Sequence, residues 1–189
     1  MSTVLVIGAT RGLGASLVKR YAGDSMNFVF ATSRSAEAPK STQNISYISS
    51  IDVASESAGT SLVSKIKPTK KSLDVLIITA GYFGTESFDE PKWADEIKMY
   101  TTSAVGPVFL VHHLVKAGLM QEGAKIILVS SESGSITLRH ETEGGGNYGH
   151  HASKAASNMV GKLLSLDLKG KGIAVGIVHV SHRKGRQSK

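Results

Sequence analysis

The sequence predicts a doubly wound α/β fold: one parallel sheet with helices on both faces, shortened after its sixth strand. Three observations predict it. Short apolar runs rich in β-branched residues alternate with longer stretches of helical periodicity. A glycine-rich turn, Gly8-Ala9-Thr10-Arg11-Gly12-Leu13-Gly14, stands between the first strand and the first helix. The 189 residues, 41% apolar and 20% charged, make a single domain and exclude global disorder.

In order, Thr3–Gly8 (TVLVIG) is the continuous apolar run of a strand buried on both faces. A helix follows from Gly12 to about Ala22. Asn27–Ser33 (NFVFATS) and Ile45–Ser50 (ISYISS) read as the second and third strands. A helix is expected over Ser55–Ile66, stopped near Pro68, whose ring cannot continue it. Asp74–Ala80 (DVLIITA) is the fourth strand, Thr102–Met120 a long helix, and Ala124–Ser130 (AKIILVS) the fifth strand. From Ala152 to Leu168 apolar residues recur at helical spacing: Ala152, Ala156, Met159, Leu163 and Leu166. Gly172–Val180 (GIAVGIVHV) is the sixth strand. Residues 1–180 are expected to form the domain and 181–189 a basic tail. There is no internal repeat, and Gly144–Gly146 is a local loop rather than a linker.

Several function classes fall away. There are no cysteines, so disulfides, thiolate metal sites and cysteine nucleophiles are excluded. No apolar run approaches the ~18 residues of a membrane span. The start, MSTVLVIGAT, lacks the basic region of a secretory signal, so a cytoplasmic protein without membrane contact is expected. The net charge is +7, but Arg183, Lys184, Arg186 and Lys189 of the tail supply four of those charges. A body at +3 does not point to nucleic acid. His112, His113, His140, His150, His151, His179 and His182 show no metal-ligand spacing, so no metal is expected. Trp93 and Phe88 are expected to pack against a helix rather than line a pocket, and Glu141 and Glu143 to keep the glycine loop solvated.

The glycine turn carries the first chemistry. Glycines at Gly8, Gly12 and Gly14 allow a tight turn and close approach to a pyrophosphate, while the helix start offers free N–H groups. This is the dinucleotide-binding end of a Rossmann domain. An NAD site has Asp or Glu at the end of the second strand; here the chain reads Thr32-Ser33-Arg34-Ser35. Arg34, with Arg11 in the glycine turn, suits a 2′-phosphate, so NADP(H) is favoured over NAD(H).

On these residues the chain resembles the short-chain dehydrogenase/reductase family over nearly its whole length. Asp52-Val53 is similar to the family's adenine-contacting pair. Thr79-Ala80-Gly81 is similar to its Asn-Ala-Gly turn, with threonine for asparagine. Gly144-Gly145-Gly146-Asn147-Tyr148 before His150-His151-Ala152-Ser153-Lys154 resembles the small carbonyl reductases of the sniffer and C-factor type. The resemblance implies a cofactor site of Gly8, Thr10, Arg11, Gly12, Leu13, Gly14, Arg34, Asp52, Val53, Ala80, Gly81 and Lys154. It also implies a Ser-Tyr-Lys mechanism on a small carbonyl or alcohol. Ser131 matches the serine that polarises the oxygen, Lys154 the lysine that holds the ribose, and Ser103 the family's asparagine in the long helix.

The tyrosine position, four residues before the lysine, holds His150. Imidazole moves protons near neutrality. Yet Lys154 disfavours the protonated ring, and a shortfall in reach of ~1 Å can cost on the order of 10²-fold. His150 as a working acid, Tyr148 two residues upstream, and no efficient donor remain the alternatives, with the last favoured. Losing a general acid costs roughly 10²–10⁴-fold. After the sixth strand the family continues with a Pro-Gly turn and nicotinamide contacts, where this chain reads Val180-Ser181. The expectation is a domain with an uncovered sheet edge and part of its substrate wall missing. The candidate functions are an NADP(H)-linked oxidoreductase with impaired catalysis, a non-catalytic NADP(H)-binding protein, and a shortened product that barely folds. Pairing into a homo-oligomer through the long helices is compatible with the first two.

Overall fold

The computed structural model describes residues 1–180 of the chain; the basic tail, 181–189, lies outside them. Six strands form one sheet: β1 (Thr3–Ile7), β2 (Phe28–Thr32), β3 (Ile45–Ile48), β4 (Val75–Ile78), β5 (Lys125–Ser130) and β6 (Ala174–His179). Their order is β3-β2-β1-β4-β5-β6, and every pairing is parallel. The helices are α1 (Gly12–Ala22), α2 (Ala58–Ile66), α3 (Trp93–Tyr100), α4 (Gly106–Lys116) and α5 (Tyr148–Lys169).

β1 is the central strand and all five of its residues are buried, as a strand covered on both faces requires. Alternation divides its side chains between two layers. Leu5 and Ile7 join Phe30, Leu76 and Ile126 beneath α2 and α4, where Leu62, Ile66, Leu110 and Leu114 are buried. Val4 and Val6 join Val29, Ala31 and Ile77 beneath α1, which contributes Val18. α5 lies on the first layer: a Cβ on its Gly161 would stand 2.5 Å from Ile177 Cγ1, so the glycine is what lets the helix settle onto β5 and β6.

The pairing of β5 with β6 forms one edge of the sheet among the described residues. β6 is an edge strand, and Ile177, Val178 and His179 are exposed. The register Ile127↔Gly176 and Val129↔Val178 places those four residues on the face beneath which α1 packs.

Two expected helices need correction. The long helix begins not at Thr102 but at Trp93, passes through a π-helical segment at Thr101–Val105, and ends at Lys116 rather than Met120. Gly118, with φ of 72°, follows it and turns the chain toward β5. A π segment adds a residue to the turn and shifts the periodicity, which hides the continuity from a pattern of 3.6. The fifth helix starts at Tyr148, not Ala152, because its N-terminus is capped from elsewhere in the chain. Its stripe of apolar residues is also reversed. Met159, Leu163 and Leu166 are each more than half exposed, and the buried face is Gly149, Ser153, Ser157, Gly161 and Leu168.

Candidate active site

The chain reverses direction across the sheet between β1 and β4, the place where an open parallel sheet leaves a crevice beyond its strand ends. A cavity of about 820 Å³ fills that crevice. Gly8, Thr10, Arg11, Gly12, Leu13, Gly14, Arg34, Asp52, Val53, Ala80 and Gly81, all expected at the cofactor site, line it.

The glycines are required by contact. Gly8 has φ of 82°, and a Cβ on it would lie 2.9 Å from the Ala80 backbone. A Cβ on Gly14 would lie 2.1 Å from the Gly8 carbonyl oxygen. Thr79 completes the crossing: its hydroxyl donates to the carbonyl of Ile7 at 2.8 Å and lies 3.2 Å from that of Gly8. Threonine in place of asparagine thus ties the end of β4 to the end of β1. The first turn of α1 has no side-chain cap and no acidic residue, so its free N–H groups and positive dipole end face the cavity uncompensated.

At the outer wall the exposed Arg34 follows β2, flanked by Ser33 and Ser35. Glu37 stands on the same wall, a carboxylate the sequence reading did not weigh. Also missed were Ile51, Tyr82 and Thr102. Tyr82 donates its hydroxyl to Asp95 Oδ1 at 2.6 Å, and the Lys98 ammonium lies 4.3 Å from its ring centroid. The carboxylate beside it raises the phenol's pKa above the ordinary value, so Tyr82 stays a neutral wall. Its place directly after Gly81 was the signal available in the sequence; Thr102 gave none, because the helix reading began there.

The residues expected to be catalytic lie outside that lining. Ser131 precedes a single 3₁₀ turn, Glu132–Gly134, and its Oγ accepts the Ser133 amide at 3.1 Å. That turn packs on α5: the Nδ1–H of His151 donates to the Ser133 carbonyl at 2.9 Å, and a Cβ on Gly134 would meet the Lys154 backbone at 2.5 Å. Lys154 donates from Nζ to the Val129 carbonyl at 3.3 Å, and burial holds its pKa below the ordinary lysine value. His150 stands one turn before it, its ring edge-on to Phe83 with centroids 4.9 Å apart. Its pKa is lowered, first by burial, then by His151, then by Lys154. The sequence reading named only the lysine, the weakest of the three. Tyr148 points elsewhere, its hydroxyl 3.6 Å from where a Gly145 Cβ would be. Ser103 lies in the π segment, buried, with no hydrogen-bond partner for its hydroxyl among the described residues; buried polar groups are seldom left so unless water completes them.

The cavity lining runs to Tyr82 and Thr102 and does not include Lys154, Ser131, His150 or Ser103. The Lys154 ammonium is directed to the Val129 carbonyl of β5. Trp93 and Phe88 do not pack against a helix as expected; they are 81% and 82% exposed. Glu143 does more than solvate its loop, since Arg139 pairs with its carboxylate at 2.8 Å and also donates to the Gly144 carbonyl at 2.6 Å. Among the described residues no His, Asp or Glu cluster could hold a metal.

The sequence matches the short chain dehydrogenase family over residues 2–183. It is 29% identical to the 1-hydroxy-2-glutathionyl-2-methyl-3-butene dehydrogenase of Rhodococcus sp. (strain AD45), over 95% of this chain and 76% of that protein. It is 30% identical to a short chain dehydrogenase of Penicillium aethiopicum, over 89% of this chain and 71% of the relative. Among solved structures, the carbonyl reductase Sniffer of D. melanogaster superposes with a TM-score of 0.82 at 27% identity, covering 95% of this chain and 80% of that one. An NADPH-bound carbonyl reductase from chicken fatty liver, at 23% identity, shares the fold with a TM-score of 0.83 over 97% of this chain and 81% of its own.

Proposed function

The chain belongs to the short-chain dehydrogenase family, and on that premise we propose that it binds NADP(H) in the switch-point cavity and acts on a carbonyl or alcohol at the rim with impaired catalysis. The observation that carries the reading is the pairing of two exposed guanidinium groups, Arg11 and Arg34, with the uncapped start of α1 around one cavity. Helix N–H groups and arginine forks are the protein's means of holding phosphate. The Gly8–Gly14 approach leaves room for a pyrophosphate where any side chain would intrude. Adenine would lie against Asp52 and Val53, and the ribose end near Ala80 and Gly81. Bound there, NADP(H) supplies or accepts the hydride.

The chain's own residues handle the proton. Ser131 Oγ accepts from the Ser133 amide, which leaves its hydrogen free to donate to a substrate oxygen. Lys154 keeps two ammonium hydrogens after its bond to Val129. His150 is held neutral by burial, His151 and Lys154. A neutral imidazole is a base, so the proton it handles better is the one leaving an alcohol; as an acid toward a reduced carbonyl it is weak.

A second reading, cofactor binding without turnover, is favoured by the walls that stop at Tyr82 and Thr102, short of His150. Either form could pair with a second copy through the apolar stripe of α5 (Met159, Leu163, Leu166) and the exposed Val108 and Phe109 of α4. No helix among the described residues is long and apolar enough to cross a membrane, which fits the proposed cytoplasmic location. NADPH fluorescence titration tests the cofactor assignment, and NADPH oxidation over a carbonyl panel separates the two readings. Saturable NADPH binding at least about tenfold tighter than NADH, the weight of one charge-assisted bond, is the expected result. No saturation overturns both.

A further inference from the structure

A half-buried carboxylate that the chemistry above does not use holds the front of the molecule together. Glu86 lies in the loop between β4 and α3. Its Oε1 accepts a hydrogen bond at 2.7 Å from the amide of Gly149, the second residue of α5. Its Oε2 accepts at 3.2 Å from the amide of Lys92, the residue that caps α3. The backbone of Glu86 is engaged as well. Its carbonyl accepts from the Asn147 amide at 3.0 Å, and its own amide donates to Asn147 Oδ1 at 3.2 Å.

This arrangement explains an oddity of α5. Asn147 precedes the helix in the left-handed region, φ 49°, and makes no side-chain cap. Its side chain is turned to the Glu86 amide instead, and Glu86 takes over the capping from another part of the chain. A carboxylate is the favoured partner there, because the first N–H groups of a helix are unpaired and the dipole is positive. The fit is close: a Cβ on Gly149 would meet Met99 Cε at 2.6 Å and Glu96 Cγ at 2.9 Å.

We infer that Glu86 is the positioning residue for His150: it clamps the first turn of α5 to the start of α3 and so fixes where the imidazole is presented. His150 directly follows Gly149. Phe83, the ring against which it stands, lies three residues before Glu86 on the same loop. The clamp therefore holds both members of that contact. The acidic groups facing it are Asp95 and Glu96 of α3, and the titratable side chains in the first turn of α5 are Tyr148, His150 and His151. The Gly149 amide keeps Glu86 below the ordinary carboxylate range, while burial and the charge of Glu86 raise Glu96. Glu86 is thus the member of the pair that gives up its proton first.

The inference rests on reading His150 as the proton-handling position, and its test needs neither cofactor nor turnover, so a failure of NADPH to bind leaves it standing. Histidine side-chain NMR titrations of the unaltered chain, Glu86→Ala and Glu86→Gln provide the readout. In Glu86→Ala the His150 midpoint should shift upward toward an ordinary imidazole as the loosened turn exposes the ring, and the Phe83–His150 ring contact should be lost. Glu86→Gln, which keeps an oxygen for the Gly149 amide but loses the charge that favours it at the helix start, should shift the midpoint in the same direction by less than Glu86→Ala. A folded Glu86→Ala with a lower Tm but unchanged His150 titration and ring contact overturns the inference. If that variant does not fold, the unaltered chain decides. On acidification the Gly149 and Lys92 amide resonances should move with one shared midpoint and the His150–Phe83 contact should weaken with them. Separate midpoints, or a contact that does not respond, overturn it.

Discussion

Gly14 passes so close to Gly8 that a Cβ on it would sit 2.1 Å from the Gly8 carbonyl oxygen. That approach joins the first turn of α1 to the end of β1 and shapes the floor of the cavity. Gly14→Ala should therefore cost about 1–3 kcal/mol of stability, the range for overpacking a tight site, and abolish saturable NADPH binding. Thermal denaturation and fluorescence titration check both effects. Retained binding would mean that the cofactor does not rest on this turn.

The outer wall carries opposed charges. Arg11 and Arg34 favour a 2′-phosphate, and Glu37 on the same wall disfavours it. Arg34→Ala should weaken NADPH binding at least about tenfold, the equivalent of one charge-assisted bond, and leave NADH nearly unchanged. Glu37→Gln should strengthen NADPH binding and steepen its loss with salt, because the net attraction that salt screens is larger. Titrations of both cofactors at two ionic strengths separate these effects.

His150 makes stability depend on pH in a defined direction. Its folded pKa lies below the unfolded value, so between the two the unfolded chain binds more protons, and stability rises with pH across that window. Acidification from above about 6.5 should cost stability, and His150→Phe should flatten that part of the profile. Urea denaturation at pH steps reads the difference. A profile unchanged by the substitution would place the lowered pKa elsewhere.

Restoring a phenol should recover little catalysis. His150→Tyr supplies an acid of longer reach, but the cavity walls stop at Tyr82 and Thr102 before reaching position 150. Carbonyl turnover in this variant is expected to stay within about tenfold of the unaltered chain, well short of the ~10²–10⁴-fold worth of a placed general acid. Full activity would show that the cavity geometry does not limit the chemistry.

The stripe on α5 offers a test of self-association. Met159 and Leu163 are 59% and 52% exposed on one face, and exposed apolar patches of that kind mark contact surfaces. Leu163→Lys should shift the sedimentation coefficient toward the monomer with little effect on Tm. A monomeric unaltered chain at tens of micromolar would remove the stripe from consideration.

All six strands were legible in the sequence because their signal is local. A strand buried on both faces must be apolar along its buried length, and Val4–Ile7 is. Helix limits were less legible where the causes are not local. The π segment at Thr101–Val105 broke the periodicity of the helix that starts at Trp93, and α5 begins at Tyr148 because Glu86, sixty-three residues away, accepts its Gly149 amide. The apolar spacing on α5 identified the helix but not its buried face. Gly161 and Ser157 pack there because small residues allow close approach, a preference that hydrophobic spacing cannot express.

By itself the sequence determined the sheet, the glycine turn, the two arginines and a histidine four residues before Lys154. Each follows from residue type and short spacing, which act over a few bonds and survive without a fold. Tertiary structure alone decided that Glu37 faces Arg34's wall, that the Lys154 ammonium turns to Val129, that burial outweighs Lys154 in keeping His150 neutral, and that one distant carboxylate fixes the start of α5. Burial, charge pairing and capping across the chain depend on which surfaces meet, and segments far apart in sequence meet only once the sheet has formed.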